Sequence, residues 1–114
     1  AYYKEQKAID PIIQLLKSEV AKGKQSEYDV SEERINSFGY ELLESGKTNE
    51  ALKILKLNTE LYPKGFNTFD SYGEILLQTG ATKKALQAYQ KSLKLNPDND
   101  NAKKVLETHN IRIK

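Results

Sequence analysis

Cysteine is absent from this sequence, which removes disulfides and thiolate metal sites from consideration. A single histidine, His109, cannot build a multi-histidine zinc centre. No stretch approaches the roughly 20 consecutive apolar residues that a membrane-spanning helix requires. The glycines are scattered along the chain, so no glycine-rich loop is available to cradle a phosphate. Neither sign of charge dominates. Lys and Arg number 18 against 16 Asp and Glu, a net charge of +2, which does not point to nucleic acid by itself. Methionine is missing too, the chain begins at Ala1, and no signal peptide is recognisable, so it reads as a segment taken from a longer protein.

What is present is a polar chain with regular apolar spacing. Its 114 residues fit one domain or one stack of repeats. The 38% hydrophobic and 30% charged content suits a thin helical layer in which much of each helix faces water. Regular alternation of polar and apolar stretches argues against wholesale disorder. Charge is unevenly distributed: residues 80–114 hold eight basic and three acidic residues, net +5, and 1–79 hold ten and thirteen, net −3. Lysines spread over several amphipathic helices read first as solvated faces, with a basic patch as the alternative.

The strongest signal is internal self-similarity at an offset of 34, which relates Gly39 to Gly73, Gly46 to Gly80, Ala51 to Ala85 and Pro63 to Pro97. Aligning 32–65 on 66–99 without a gap gives ten identities. Conservative pairs such as Ile35/Phe69, Phe38/Tyr72 and Leu55/Tyr89 support the same register. Each unit reads as two helices. The first spans roughly Glu32–Ser45, with Ile35, Phe38, Leu42 and Leu43 on one face at helical spacing. Gly46 ends it by supplying a left-handed residue. A second helix near Asn49–Leu61 follows and stops at Pro63, which cannot extend the hydrogen-bond ladder. Phe69, Tyr72, Leu76, Leu77, Gly80, Leu95 and Pro97 repeat that grammar. Gly39 and Gly73 fall inside helices, where glycine costs about 1 kcal/mol relative to alanine. Their recurrence predicts close helix approach, with Ala51 and Ala85 as the small partners opposite.

This pattern resembles the tetratricopeptide repeat. The first unit carries the signature as Ile35, Phe38-Gly39, Leu42, Gly46, Ala51, Leu55, Asn58 and Pro63. The second carries it as Phe69, Tyr72-Gly73, Leu76, Gly80, Ala85, Tyr89, Ser92 and Pro97. Ile35 and Leu55 depart from the usual aromatics, and Asn58 and Ser92 stand where alanine is usual. The resemblance implies an all-α fold, a right-handed superhelix of helical hairpins. Two full repeats, 32–65 and 66–99, would be flanked by an N-terminal helical segment with its linker (1–31) and a capping helix (100–114).

A terminal repeat needs a polar-faced cap. Residues Asp100–Ile113 supply one, with Ala102, Val105, Leu106 and His109 or Asn110 inward and Lys103, Lys104 and Glu107 outward. His109 reads as a partly buried cap residue, because a general base needs a nucleophile and an orienting acid beside it. At the other end, Asp10 as N-cap and Pro11 at the first helical position start a helix. Its apolar stripe is Ile12, Ile13, Leu15, Leu16 and Val20, and Gly23 fits its end. Tyr2, Tyr3 and Ile9 precede it as a short additional helix. Lys22–Ser31 is a polar linker, and Ser31 lacks the glutamate three residues on that completes a capping box.

No catalytic constellation emerges. Ser71 lacks the flanking glycines and the strand-to-helix turn of a nucleophile elbow. Neither Ser18 nor Ser92 has a lysine at Ser-x-x-Lys spacing, and the carboxylates sit mainly on exposed helix positions. The segment is therefore expected to be non-enzymatic, with no cofactor and no metal.

The family resemblance implies a binding groove lined by the first helix of each unit. Carried over, it would present Glu33, Asn36, Tyr40, Leu43 and Glu44, then Asn67, Asp70, Glu74, Leu77 and Gln78, with Lys104 and Thr108 from the cap. Tyr40 would be the anchor, and the acids would favour a basic or amino-bearing peptide. One subclass of the family grips C-terminal carboxylates with basic and amide side chains. Its five positions fall here on Asn36, Tyr40, Ser71, Asn101 and Val105, and none matches. Over 27–106 the phrases Ile35–Leu43, Leu57–Pro63, Phe69–Glu74 and Lys91–Pro97 are similar to C-terminal tetratricopeptide tails behind bacterial serine hydrolase domains, esterase-like or β-lactamase-like. That similarity implies an accessory domain whose partner is a protein or peptide, its own N-terminal catalytic domain among them. The alternative is a self-associating scaffold, a homodimer in which Tyr2, Tyr3 and the Ile12/Ile13 stripe of a second copy complete a short stack. A third reading sets RNA or a membrane surface against the +5 third, although the low net charge assigns no nucleic-acid partner.

Overall fold

The computed structural model describes residues 9–109, among which there are six α-helices and no strand. They are α1 (Ile9–Lys22), α2 (Glu32–Glu44), α3 (Thr48–Leu61), α4 (Phe66–Gln78), α5 (Thr82–Leu95) and α6 (Asp100–Thr108), with a 3-10 turn at Gly23–Gln25 after α1. The chain divides into two compact units, one ending at Leu61 and the other starting at Tyr62. Tyr2, Tyr3 and Asn110–Ile113, included in the expected terminal elements, lie outside the described residues.

In the first unit, α2 and α3 pair as a helical hairpin and α1 packs against α3. Ile35 and Leu42 from α2 and Ala51, Ile54, Leu55 and Leu57 from α3 are buried. Full burial of one such aliphatic side chain stabilises by about 1.5–3 kcal/mol. Ser31 caps α2, its Oγ accepting from the Arg34 N–H at 3.2 Å, so one orphan donor is satisfied without the capping-box glutamate. Asp29 braces the cap by accepting from the Ser31 N–H at 3.1 Å, and hydrogen bonds from Ser31 hold the Asp29 carboxyl below its usual value.

At the hairpin turn, the Lys47 N–H donates to the Leu42 carbonyl at 2.9 Å and the Gly46 N–H to Leu43 at 3.0 Å. This closure needs a left-handed residue, and Gly46 supplies it at φ 80°. The second unit repeats the device between α4 and α5, with Ala81 donating to Leu76 at 2.9 Å and Gly80 at φ 88°. There α6 adds to α5 through Tyr89, Ala102 and Leu106, all buried, flanked by Leu86, Leu93 and Val105. The sequence-level inward set of α6 is thus correct for Ala102, Val105 and Leu106. His109 is its C-cap residue, and the His109 Nδ1 lies 3.0 Å from the Val105 carbonyl.

Three expectations need correction. Ile9 and Asp10 are already helical, so Asp10 is not the N-cap of α1; Pro11 is tolerated because first-turn N–H groups have no intrahelical acceptor. Leu15, part of the expected apolar stripe, is 53% exposed, whereas Glu19 on the same helix is 4% exposed. Burial of that carboxylate is matched by Lys22 Nζ at 2.7 Å and by the Ser26 hydroxyl at 2.8 Å. Finally, Gly39 and Gly73 do mark close approach, but not chiefly to the alanines. A Cβ at Gly39 would stand 2.5 Å from Leu55 Cδ2 and 2.6 Å from its Cγ, and one at Gly73 would stand 3.0 Å from two Tyr89 ring carbons. Ala85 enters only through its carbonyl, 3.3 Å from the Gly73 position. Leu55 and Tyr89 are themselves repeat equivalents, so glycine recurs where a large buried side chain crosses the first helix.

Candidate functional site

The first-helix residues follow a shared register in both units. On α2, Glu33, Asn36, Tyr40, Leu43 and Glu44 recur at steps of three, four, three and one, which keeps them on one side of a helix. Ile35, Gly39 and Leu42 are buried instead. Glu33 and Glu44 are exposed, and Asn36, Tyr40 and Leu43 are half-buried. Asn36 Oδ1 is enclosed and has no hydrogen-bond partner. Next to this face Arg34 and Glu41 pair at 3.2 Å, both largely solvated, where such a pair contributes little to stability.

On α4 the corresponding residues are Asn67 and Gln78, exposed, and Asp70, Glu74 and Leu77, half-buried. Asp70 turns out to be a fastener. Its Oδ2 accepts from Asn99 Nδ2 at 2.9 Å and its Oδ1 from Asn101 Nδ2 at 2.9 Å. The Asn99 amide also donates to Ser92 Oγ at 2.8 Å, and Ser92 in turn donates to the Phe66 carbonyl at 2.7 Å. Through its own Oδ1 Asn99 caps α6, accepting from the Ala102 N–H at 3.3 Å. One buried asparagine thus ties α4, α5 and α6 together. Asp70 and Glu74 also raise the electrostatic potential energy of a nearby phenolate: burial, with the charges of Asp70 and Glu74 added, pushes the Tyr89 hydroxyl up to about 12. In α6, Lys104 is exposed and its carbonyl accepts from the Thr108 hydroxyl at 2.8 Å.

Sequence reasoning missed this clamp, yet the signal was in view. Asn58 and Ser92 are the two positions where the repeat signature expects alanine. In the first unit Asn58 Nδ2 donates to the Glu32 carbonyl at 3.0 Å, across the same 26-residue separation as Ser92 to Phe66. Each polar side chain secures the open end of a hairpin that turn geometry alone leaves free. Asn58 Oδ1 stays enclosed without a partner.

Also unanticipated is a cavity of about 200 Å³ in the first unit, walled by Leu15, Leu16, Glu19, Tyr28, Val30, Ile35 and Phe38. Leu15 and Tyr28, 53% and 63% exposed, stand at its edge. Ser71 is 5% exposed within α4, a poor position for a nucleophile. Among the described residues no group of three His, Cys, Asp or Glu could hold a metal ion, and no helix is long and apolar enough to cross a membrane.

Two antiparallel pairs of short helices, each closed by glycine and followed by proline, define the architecture as an all-α hairpin repeat. Residues 68–99 match the family model described as tetratricopeptide repeat, so the second hairpin carries a tetratricopeptide repeat. The first hairpin, 34 residues earlier in register, shares its turn geometry and its helix lengths to within a residue. Repeats of this kind generally mediate contacts between proteins, and the fold is typically non-catalytic. No curated protein matches the chain.

Proposed function

We propose that the chain is a non-catalytic protein- or peptide-interaction module whose contact residues lie on the first-helix faces of α2 and α4. The tetratricopeptide hairpin at 68–99 carries this reading, since its α4 leaves one face outside the hairpin core. Asp70 and Glu74, one helical turn apart, concentrate negative charge there, and Glu33 and Glu44 do so on α2. Such faces favour a basic or amino-bearing segment and speed its encounter. We further propose, from the likeness to tails behind bacterial serine hydrolases, that the module is the C-terminal accessory domain of a larger polypeptide and docks on its catalytic partner. It contributes no catalytic residue of its own.

The test is a double substitution, Tyr40→Ala with Glu74→Lys, assayed against peptides selected from a random library on the wild-type protein. Loss of binding with little change in melting temperature supports the site. Unchanged affinity, or selected peptides without basic residues, removes it. A second reading, self-association, is favoured by the exposure of Leu15 and Tyr28 beside the first-unit cavity, whose lining also includes Asp29 and Arg34. It requires a melting temperature that rises with protein concentration, as mass action dictates.

A further inference from the structure

The outward face of α5 carries an unmatched positive stripe. Lys83, Lys84, Gln87, Gln90, Lys91 and Lys94 are all exposed. At 100° per residue they fall within an arc of about 120°, opposite the buried Ala85, Tyr89 and Ser92. No acidic residue occurs between Glu74 and Asp98. Among the described residues none of the four lysines has an ion-pair partner; Lys91 sits 6.0 Å from the Phe69 ring centroid.

Helix stability does not account for the arrangement. Lys83 and Lys84 occupy the first turn, where the helix dipole already presents positive charge and acidic residues are the stabilising choice. That turn contains no acid, and its N-cap, Ala81, offers no side-chain hydrogen bond. The lysines therefore stand where they repel the helix end, and they add to its potential.

We propose that this face of α5 is a second binding surface, distinct from the first-helix faces, and that its partner is an acidic segment of another protein. From Lys83 to Lys94 the helix rises about 16 Å, the span of roughly five extended residues, enough for acidic side chains at alternate positions to meet the stripe. The stripe has no arginine, and α5 contributes no exposed aromatic to it; the one ring beside it, Phe69, is half-buried under Lys91. The face therefore lacks the planar forks and open stacking platforms that nucleic-acid surfaces use. A second copy of the chain is poorly matched as well. Its exposed carboxylates are scattered, with Glu33, Glu41 and Glu44 on α2, Glu60 on α3 and Asp98, Asp100 and Glu107 around α6, and Glu41 is already paired with Arg34.

The experiment measures fluorescence anisotropy of a labelled polyglutamate peptide of about ten residues at about 20 mM and 150 mM salt. Saturable binding is expected at low salt, weakened about tenfold or more at the higher salt as surface charges are screened. Lys83→Glu with Lys94→Glu should weaken binding about tenfold, and Lys17→Glu with Lys56→Glu, the same change in net charge on the first unit, less than about threefold. Circular dichroism melting of both variants confirms that they fold. Absence of saturable binding, or equal losses in both variants, overturns the proposal. So does tighter binding of an oligouridylate of equal length, or wild-type self-association at low salt that the Lys83/Lys94 variant abolishes.

Discussion

Replacing Gly39 by alanine tests whether the glycine is retained for backbone freedom or for space. Its backbone is ordinary helix, so alanine gains about 1 kcal/mol of intrinsic helix propensity. Against that gain, the new Cβ would lie 2.5 Å and 2.6 Å from Leu55 Cδ2 and Cγ, well inside contact distance. Leu55 is 0% exposed, so its branch cannot swing into solvent, and relieving the overlap means repacking the α2–α3 interface at about 1–3 kcal/mol. Net destabilisation of about 1 kcal/mol is expected, a few degrees in melting temperature. Leu55→Ala alone should cost about 3 kcal/mol. Because it deletes the clashing atoms, the double variant should cost only about 2 kcal/mol, a coupling of about 2 kcal/mol relative to the sum of the single changes. Urea denaturation of the four proteins measures it. Additive effects, or stabilisation by Gly39→Ala alone, would refute the steric account. Gly73→Ala is the internal comparison: contacts of 3.0 Å to the Tyr89 ring ask for a smaller shift, so its effect lies closer to neutral.

Much of the fold was legible because backbone punctuation is local. Gly46 and Gly80 mark left-handed closures whatever packs on them, and Pro63 and Pro97 forbid continuation, so the hairpins follow from spacing. Side-chain partnerships across helices were harder to read. The offset that paired Gly39 with Gly73 gave the equivalence of Leu55 and Tyr89, but not their crossing over the glycines. Glu19 was invisible as a buried residue because its hydrogen bonds come from Lys22 and Ser26, beyond the helical stripe. On the candidate faces the sequence carries the helical register and the charges, which depend on periodicity alone. It misses that Asp70 is engaged by Asn99 and Asn101, which takes a third helix to arrange. A groove inferred from first-helix positions therefore counts as ligand-facing a carboxylate that also holds its own unit together.

Four further outcomes follow from the same contacts. Ser92→Ala leaves the Phe66 carbonyl and one Asn99 N–H without their partner in a buried site, and should cost about 1–3 kcal/mol in urea denaturation; a change below about 0.5 kcal/mol would mean that the clamp is incidental. Gly46→Ala should destabilise by about 1–2 kcal/mol through its φ of 80° alone, since nothing lies within 4 Å of the added Cβ, and asparagine should restore part of the loss. Hydrogen bonds from Lys22 and Ser26 hold the Glu19 carboxyl below its usual value, so their stabilisation is present above the ordinary carboxyl range and disappears as pH falls through the lowered value; Glu19→Gln should flatten the acid limb of the stability curve. At the alkaline end Tyr89 acts with the opposite placement. Its folded-state value is raised from 10.0 to about 12, so the unfolded chain loses the phenolic proton first. Stability is unaffected well below pH 10 and declines between pH 10 and about 12, by about 1.4 kcal/mol per unit at most. Lysines titrate over the same range in both states, so the informative quantity is the difference between wild type and Tyr89→Phe. That difference should change by on the order of 2 kcal/mol across the window in favour of the variant. Parallel curves would show that neither burial nor the Asp70 and Glu74 charges reach the hydroxyl, and that the negative potential assigned to the α4 face is too weak to select a basic ligand.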